Sequence, residues 1–268
     1  MVEHEHQPAI GSEQTSSPDL KLADLLAEIG LELTDAEAQT VACFDELGLG
    51  SKYLEDQNHI LAHGQPPHRR QELNGRVFEY LAYAQLSIDP RFRGLRLLSP
   101  YATQRALAKA YPQVAKVWQR QPESQEAFSV YIHENGRNST LLFEPDGLAL
   151  DNKQLSYLIE YKSMHATVNE GQMYRIKDFL ELIKARRGRN LRLALAHSLG
   201  LDSITTDETK ILYVLGSPRK QVVLDNIGRI IQCLGDEVVL MPSPLRARTV
   251  YAIRKCLLKV ANKERGSG

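Results

Sequence analysis

Between residues 127 and 162 the apolar residues of this chain stop recurring at helical spacing and begin to alternate, while the segments on both sides keep the helical period. Strand-like segments set among helical ones place the chain in the α/β class. Residues 127–133, 140–150 and 155–162 are strand-like. Asn135-Gly136 and Asp151-Asn152-Lys153-Gln154 are the turn signals between them, giving an expectation of three consecutive antiparallel strands. Upstream, residues 71–86 place Leu73, Val77, Tyr80, Leu81 and Ala84 on one helical face with Glu79 in the middle, and a further helix covers 102–118. Downstream, residues 168–184 return to helix with Met173, Ile176, Phe179, Leu180 and Ile183 inward. Residues 191–196 then read as a short apolar strand after the break at Gly188. Strands at 211–215 and 238–241 and helices at 224–233 and 249–261 complete the expectation.

The amino-terminal part differs in character. Residues 1–18 are polar and aperiodic and read as a disordered tail. From residue 19 the pattern Leu20, Leu22, Leu25, Leu26, Ile29 is helical and stops at Gly30, and Thr34 with Glu37 has the form of a capping box for a second helix. His63-Gly64-Gln65-Pro66-Pro67 is a breaker cluster, which places a boundary near residue 65. The organisation is therefore a tail, a small acidic helical region over 19–65, a core over 66–200 and an α/β extension over 201–268.

Charge follows the same division. The chain is neutral overall, yet residues 1–60 hold thirteen acidic residues against two lysines, so residues 61–268 carry the compensating +11. Arg175, Lys177, Lys184, Arg186, Arg187, Arg189 and Arg192 form one basic run and residues 246–265 hold another. Such runs suit a polyanion, although each is also what the solvated face of a helix looks like. No apolar stretch approaches the ~20 residues of a membrane span. The acidic, polar start of the chain lacks the form of a leader, which gives the cytosol as the expected compartment. Cys43, Cys233 and Cys256 have no paired spacing and are expected to be reduced and structural.

The chemistry concentrates in Phe143-Glu144-Pro145-Asp146-Gly147 and Leu158-Ile159-Glu160-Tyr161-Lys162. Alternation along a strand presents Glu160 and Lys162 on one face and Ile159 and Tyr161 on the other. If residues 151–154 close a hairpin, Asp146 can meet Glu160 across the ladder. Two adjacent carboxylates repel and raise one another's pKa, and a hard dication with a preference for oxygen ligands removes that penalty.

In order and in motif this segment resembles the PD-(D/E)XK, or restriction-endonuclease-like, nuclease superfamily. Its core is a helix, three antiparallel strands, a second helix and a fourth strand, so the resemblance implies an α/β fold with a mixed central sheet flanked by helices and a small helical amino-terminal region. Pro145-Asp146 stands at the family's metal-binding aspartate, Glu160-Tyr161-Lys162 at its ExK element, and Glu79 at the acidic residue many members carry on the preceding helix. The resemblance spans roughly residues 71–196. It implies a metal held by Asp146, Glu160 and the backbone carbonyl of Tyr161, with Lys162 orienting or activating water, and a catalytic set completed by Glu79. Gln172 and Tyr174 loosely resemble the glutamine-tyrosine motif of the RecB-like branch, at a different spacing, which makes Gln172 a further candidate. The implied activity is Mg²⁺-dependent cleavage of DNA, with Mn²⁺ as a substitute, and nucleic-acid contacts from Arg175, Lys177, Lys184, Arg186, Arg187 and Arg189. A homodimer fits a reaction that cuts two strands.

Against this stand plainer readings. Glu-Pro-Asp-Gly is also an ordinary β-turn, and Glu-Tyr-Lys also suits an exposed strand. A non-catalytic nucleic-acid-binding or protein-interaction module, docking through the acidic region to a basic partner, is one alternative, and an RNA nuclease is another. Gly48-Leu49-Gly50-Ser51-Lys52 lacks phosphate-loop spacing, and no Gly-x-Ser-x-Gly elbow is present.

Overall fold

Strand alternation and helical periodicity resolve into two apolar layers on either side of one sheet. The computed structural model describes residues 21–63, 69–117, 131–134, 138–141, 143–162, 170–216 and 220–266. The expected tail, the boundary near residue 65, residues 127–130 and the Asn135-Gly136 turn lie outside these. Helices α1 (Leu22–Glu28), α2 (Asp35–Glu46), α3 (Leu49–His63) and α4 (Arg69–Ile88) lead into strand β1 (Arg96–Leu98) and helix α5 (Pro100–Val117). Strands β2 (Tyr131–Glu134), β3 (Asn138–Leu141), β4 (Gly147–Asp151) and β5 (Gln154–Lys162) follow, then helices α6 (Glu170–Lys184) and α7 (Arg189–Ser198). Strand β6 (Lys210–Leu215), helix α8 (Lys220–Leu234), strand β7 (Val238–Pro242) and helix α9 (Ala247–Gly266) close the chain.

The main sheet has five strands in the order β1-β4-β5-β6-β7. β4 is antiparallel to β1 and β5, whereas β6 runs parallel to both β5 and β7. The α/β class and mixed sheet are as expected, with the carboxyl ends of β5, β6 and β7 gathered at one edge beside the start of β4. On one face Leu148, Leu158, Ile211 and Tyr213 pack with residues of α5, α6, α7 and α8. On the other, Ala149, Ile159, Tyr161, Leu212 and Val214 pack with residues of α1 to α4 and α9, Leu22, Phe44, Tyr53 and Phe78 among them. The acidic helices thus share an apolar layer with the sheet. No helix among the described residues is long and apolar enough to cross a membrane.

Two expectations are corrected. Residues 191–196 are not a strand but part of α7. Leu191, Ala194 and Leu195 are buried at helical spacing, and a run of leucine and alanine without β-branched residues favours helix. The parallel partner of β5 is β6 instead. Residues 140–150 are not one strand: β3 pairs with β2 in a separate two-stranded sheet, while β4 belongs to the main sheet. Pro145, which has no N–H to give a ladder, lies in the interval. The third antiparallel strand of the main sheet is β1, in the register Leu97↔Ala149.

The capping box at α2 forms, with Thr34 Oγ1 accepting from the Glu37 N–H and Glu37 accepting from the Thr34 N–H. Glu37 is fully buried and also receives the backbone N–H and guanidinium of Arg246 at the start of α9, which fastens α2 to the far end of the chain. Burial alone would raise the Glu37 pKa, but the Arg246 hydrogen bonds and the Thr34 N–H hold it at about 2. A carboxylate whose folded pKa is depressed stabilises the fold above its unfolded pKa and loses that contribution as pH falls toward the folded value. Glu37→Gln is therefore expected to cost about 1–2 kcal/mol near pH 6, after discounting for the solvent that screens Arg246. The gap to the unmodified protein should close between about pH 4.5 and pH 2. Urea unfolding across that range measures it, and a gap independent of pH contradicts the assignment.

Candidate active site

The β4–β5 hairpin is closed by Asp151↔Gln154, with Asn152 at φ 52°, a left-handed conformation that asparagine tolerates. Counted from this turn, Ile159 would stand opposite Asp146. A register shift between Ala149 and Leu150 takes up one residue of β5, so the ladder continues as Ala149↔Tyr157 and Gly147↔Ile159. Glu160 is thereby brought level with Asp146. A β-bulge of this kind re-aims side chains beyond it, because a one-residue slip exchanges the two faces of a strand.

Glu160 has no exposed surface. Its Oε2 accepts from Gln172 Nε2 in the first turn of α6 at 3.0 Å and lies 3.2 Å from Lys162 Nζ. Its Oε1 is buried without a hydrogen-bond partner among the described residues. Asp146 accepts from the Tyr161 N–H at 2.9 Å. The Lys162 carbonyl bonds to the Gly216 N–H on the β6 side, so Tyr161, one residue earlier, turns its backbone groups toward Asp146. The Tyr161 ring lies on the opposite face, within the apolar layer.

Glu79, on α4, is held by Arg76 Nη1 at 2.7 Å. The helix reaches the sheet because Gly216, just past β6, leaves room for the Phe78 ring. A Cβ at Gly216 would stand 2.5 Å from Phe78 Cε2. Arg76 also lies 3.8 Å from Asp56 on α3, and Asp56 accepts from the Tyr80 hydroxyl at 2.8 Å. Neither Arg76 nor Asp56 carries any motif in the sequence.

Burial raises the Asp146 carboxyl well above the usual range, and the charges of Glu160 and Glu79 add to it, while Lys162 and the Tyr161 N–H oppose. Asp146 as a residue is half-buried, which tempers the effect. Glu160 is also raised by burial, with Lys162 the main opposing influence. Burial alone would lower Lys162, but Glu160 and Asp146 outweigh it and hold the ammonium above its ordinary value.

Among the described residues no group of three or more His, Cys, Asp or Glu side chains converges as a metal cage. Two carboxylates and a backbone carbonyl turned to the same side nevertheless form an all-oxygen donor set, and Glu160 Oε1 has no other partner among the described residues, so a hard dication fits this site.

The basic residues separate. Arg175 lies one turn beyond Gln172 and bonds to the Gly171 carbonyl, with Lys177 exposed nearby. Lys184 ends the same helix and pairs with Glu237 at 2.8 Å, which places it about 18 Å along α6 from Gln172. Arg186 and Arg187 in the following 3-10 turn and Arg189 at the start of α7 are exposed at that far end. Arg192 caps α6 through the carbonyls of Ile183 and Ala185, and Arg246 is paired with Glu37. Both serve the fold.

Compared with family models, curated proteins and solved structures, the chain matches none.

Proposed function

We propose that the protein is a metal-dependent endonuclease of DNA with a restriction-endonuclease-like core. The observation that carries this reading is the meeting of Asp146 and Glu160 at the end of the β4–β5 ladder, with Lys162 and Gln172 on one oxygen of Glu160 and the other oxygen without a partner among the described residues. Asp146, Glu160 and the Tyr161 carbonyl would hold Mg²⁺ or Mn²⁺. When bound, the cation supplies Lewis-acid polarisation of the phosphoryl group and a water of lowered pKa.

The chain's own residues do the positioning. Gln172 fixes the Glu160 carboxylate from α6. Lys162, kept protonated by two carboxylates, donates hydrogen bonds to the attacking water or to a phosphoryl oxygen, and its charge opposes the negative charge that builds there. Arg175, one turn beyond Gln172 on α6, would meet a phosphate near the site, whereas Lys177, about 200° further round the helix, would meet one only on its other flank. Lys184, Arg186, Arg187 and Arg189 would meet only a substrate that extends along the helix. A two-fold dimer would supply the second site needed to cut both strands.

Purified protein incubated with supercoiled plasmid, linear duplex and single-stranded RNA in Mg²⁺, Mn²⁺ or EDTA tests the reading, with Asp146→Ala alongside. The expected result is metal-dependent nicking or cutting of DNA, lost by at least about 10³-fold in Asp146→Ala, together with loss of Mn²⁺ uptake by calorimetry. Absence of both cleavage and Asp146-dependent Mn²⁺ uptake overturns it. Cleavage confined to RNA would reassign the substrate.

A further inference from the structure

The acidic helices reach toward the candidate site through Asp56. Asp56 on α3 is 6% exposed, and its Oδ2 both accepts the Tyr80 hydroxyl at 2.8 Å and faces Arg76 Nε at 3.8 Å. Arg76 in turn gives Nη1 to Glu79 Oε2 at 2.7 Å. The guanidinium therefore spans two carboxylates from two helices, with side-chain exposures of only 21% for Arg76, 8% for Asp56 and 15% for Glu79. A planar fork can hold one carboxylate by a hydrogen bond while facing a second in fixed geometry, which a lysine ammonium does not do. The Arg76 guanidinium is held charged chiefly by Glu79 and also feels Asp146, so it acts on the centre as well as on Glu79 and Asp56.

Charge balance points the same way. Asp56, Glu79, Glu144, Asp146 and Glu160 surround Arg76 and Lys162, so full ionisation leaves three negative charges, of which a dication would neutralise two. Without Arg76 the excess would be larger by one.

We propose that Asp56 and Arg76 are positioning residues for Glu79, so that the acidic amino-terminal helices complete the site rather than standing apart from it. The proposal rests on the reading of the site as a metal-dependent nuclease. Arg76 fixes where the Glu79 carboxylate stands relative to Asp146 and relieves the repulsion among the carboxylates, and Asp56 with Tyr80 fixes Arg76. The most acidic part of the chain then has a chemical role that needs no partner protein.

The test uses the full chain carrying Arg76→Gln, Arg76→Lys or Asp56→Asn, with Mn²⁺ affinity by calorimetry, plasmid cleavage and melting temperature read on each. Arg76→Gln removes a buried cation, so Mn²⁺ should bind about 10-fold more tightly while cleavage falls about 100-fold. A residue that merely supported the fold would lower both together. Arg76→Lys keeps the charge and should leave Mn²⁺ affinity within about twofold, yet cleave at least about 10-fold more slowly because the bridge is lost. Asp56→Asn should also cleave about 10-fold more slowly, with little change in Mn²⁺ affinity. Wild-type cleavage rates in both Arg76→Lys and Asp56→Asn overturn the proposal, and these two decide it if Arg76→Gln fails to fold. If the unmodified protein neither cleaves nor takes up Mn²⁺, the nuclease reading has failed, and the metal-free melts still judge the coupling. A loss in the Arg76→Gln/Glu79→Gln double variant no larger than that of the worse single variant supports it, and additive losses overturn it.

Discussion

Replacing Lys162 with methionine should lower DNA cleavage by at least about 10³-fold while Mn²⁺ binds more tightly than to the unmodified protein. The two effects have opposite signs because the ammonium, 3.2 Å from Glu160, competes with a cation for the same carboxylate charge and yet is the donor that orients water or phosphate. Methionine keeps the apolar stem that packs along the strand, so the fold should persist. A pH signature follows in EDTA. Burial already raises both Asp146 and Glu160, and Lys162 opposes the rise in each. Its removal leaves both carboxyls higher still. A carboxyl whose folded pKa is raised destabilises the fold when ionised, and that penalty is relieved as pH falls through the raised value. The metal-free variant should therefore melt below the unmodified protein at pH 8, with a deficit that shrinks toward pH 5.5. Cleavage within 10-fold of the unmodified rate would remove Lys162 from the mechanism.

The parts of this site that follow from local rules are legible in the amino-acid sequence. Alternation puts Glu160 and Lys162 on one face of a strand, and residues 151–154 have the composition of a tight turn. That Asp146 stands level with Glu160 depends on a bulge. Its one-residue shift exchanges Ile159 for Glu160, and no composition rule announces a bulge in a run such as Gln154-Leu155-Ser156-Tyr157. Arg76 and Asp56 give no signal in the sequence. A charged residue on an amphipathic helix looks solvated until another helix is laid against it, and the partner here is 20 residues away along the chain. The Glu37 capping box is legible because its partners are three residues apart, while Arg246, 209 residues on, reads only as a member of a basic run. Lys184 and Arg192 read the same way, and the fold commits both to contacts within the chain. β1 carries no strand signal because three residues, Arg96-Leu97-Leu98, cannot establish a period of two. In 191–196, apolar density imitates a buried strand, and helix propensity without β-branching, together with the buried face of α7, prevails.

Gly188→Ala should be among the most destabilising single substitutions in the chain, by about 3 kcal/mol, with a fall of roughly 6–12 °C in melting temperature. Its backbone, at φ −79° and ψ 5°, is open to any residue, so conformational strain is not the cause. Space is. A Cβ there would stand 2.0 Å from the Leu182 carbonyl oxygen and 2.9 Å from its carbon, and both are backbone atoms of α6 that no rotamer change can move. The last turn of α6 is also fixed from other directions, since the Ile183 carbonyl accepts from Arg192 and from the Thr206 hydroxyl. Relief therefore requires the α6–α7 corner to open, which moves a helix that buries Met173, Ile176, Phe179 and Leu180 and carries Gln172 to Glu160. Cleavage should suffer along with stability. Gly228→Ala provides the opposite sign: that glycine lies within α8, is exposed, and has nothing within 4 Å of the added methyl. It should gain about 0.5–1 kcal/mol because the unfolded chain loses freedom and the helix loses nothing. Equal melting temperatures for the two variants would mean that the approach of Gly188 to α6 is not the constraint the structure makes it.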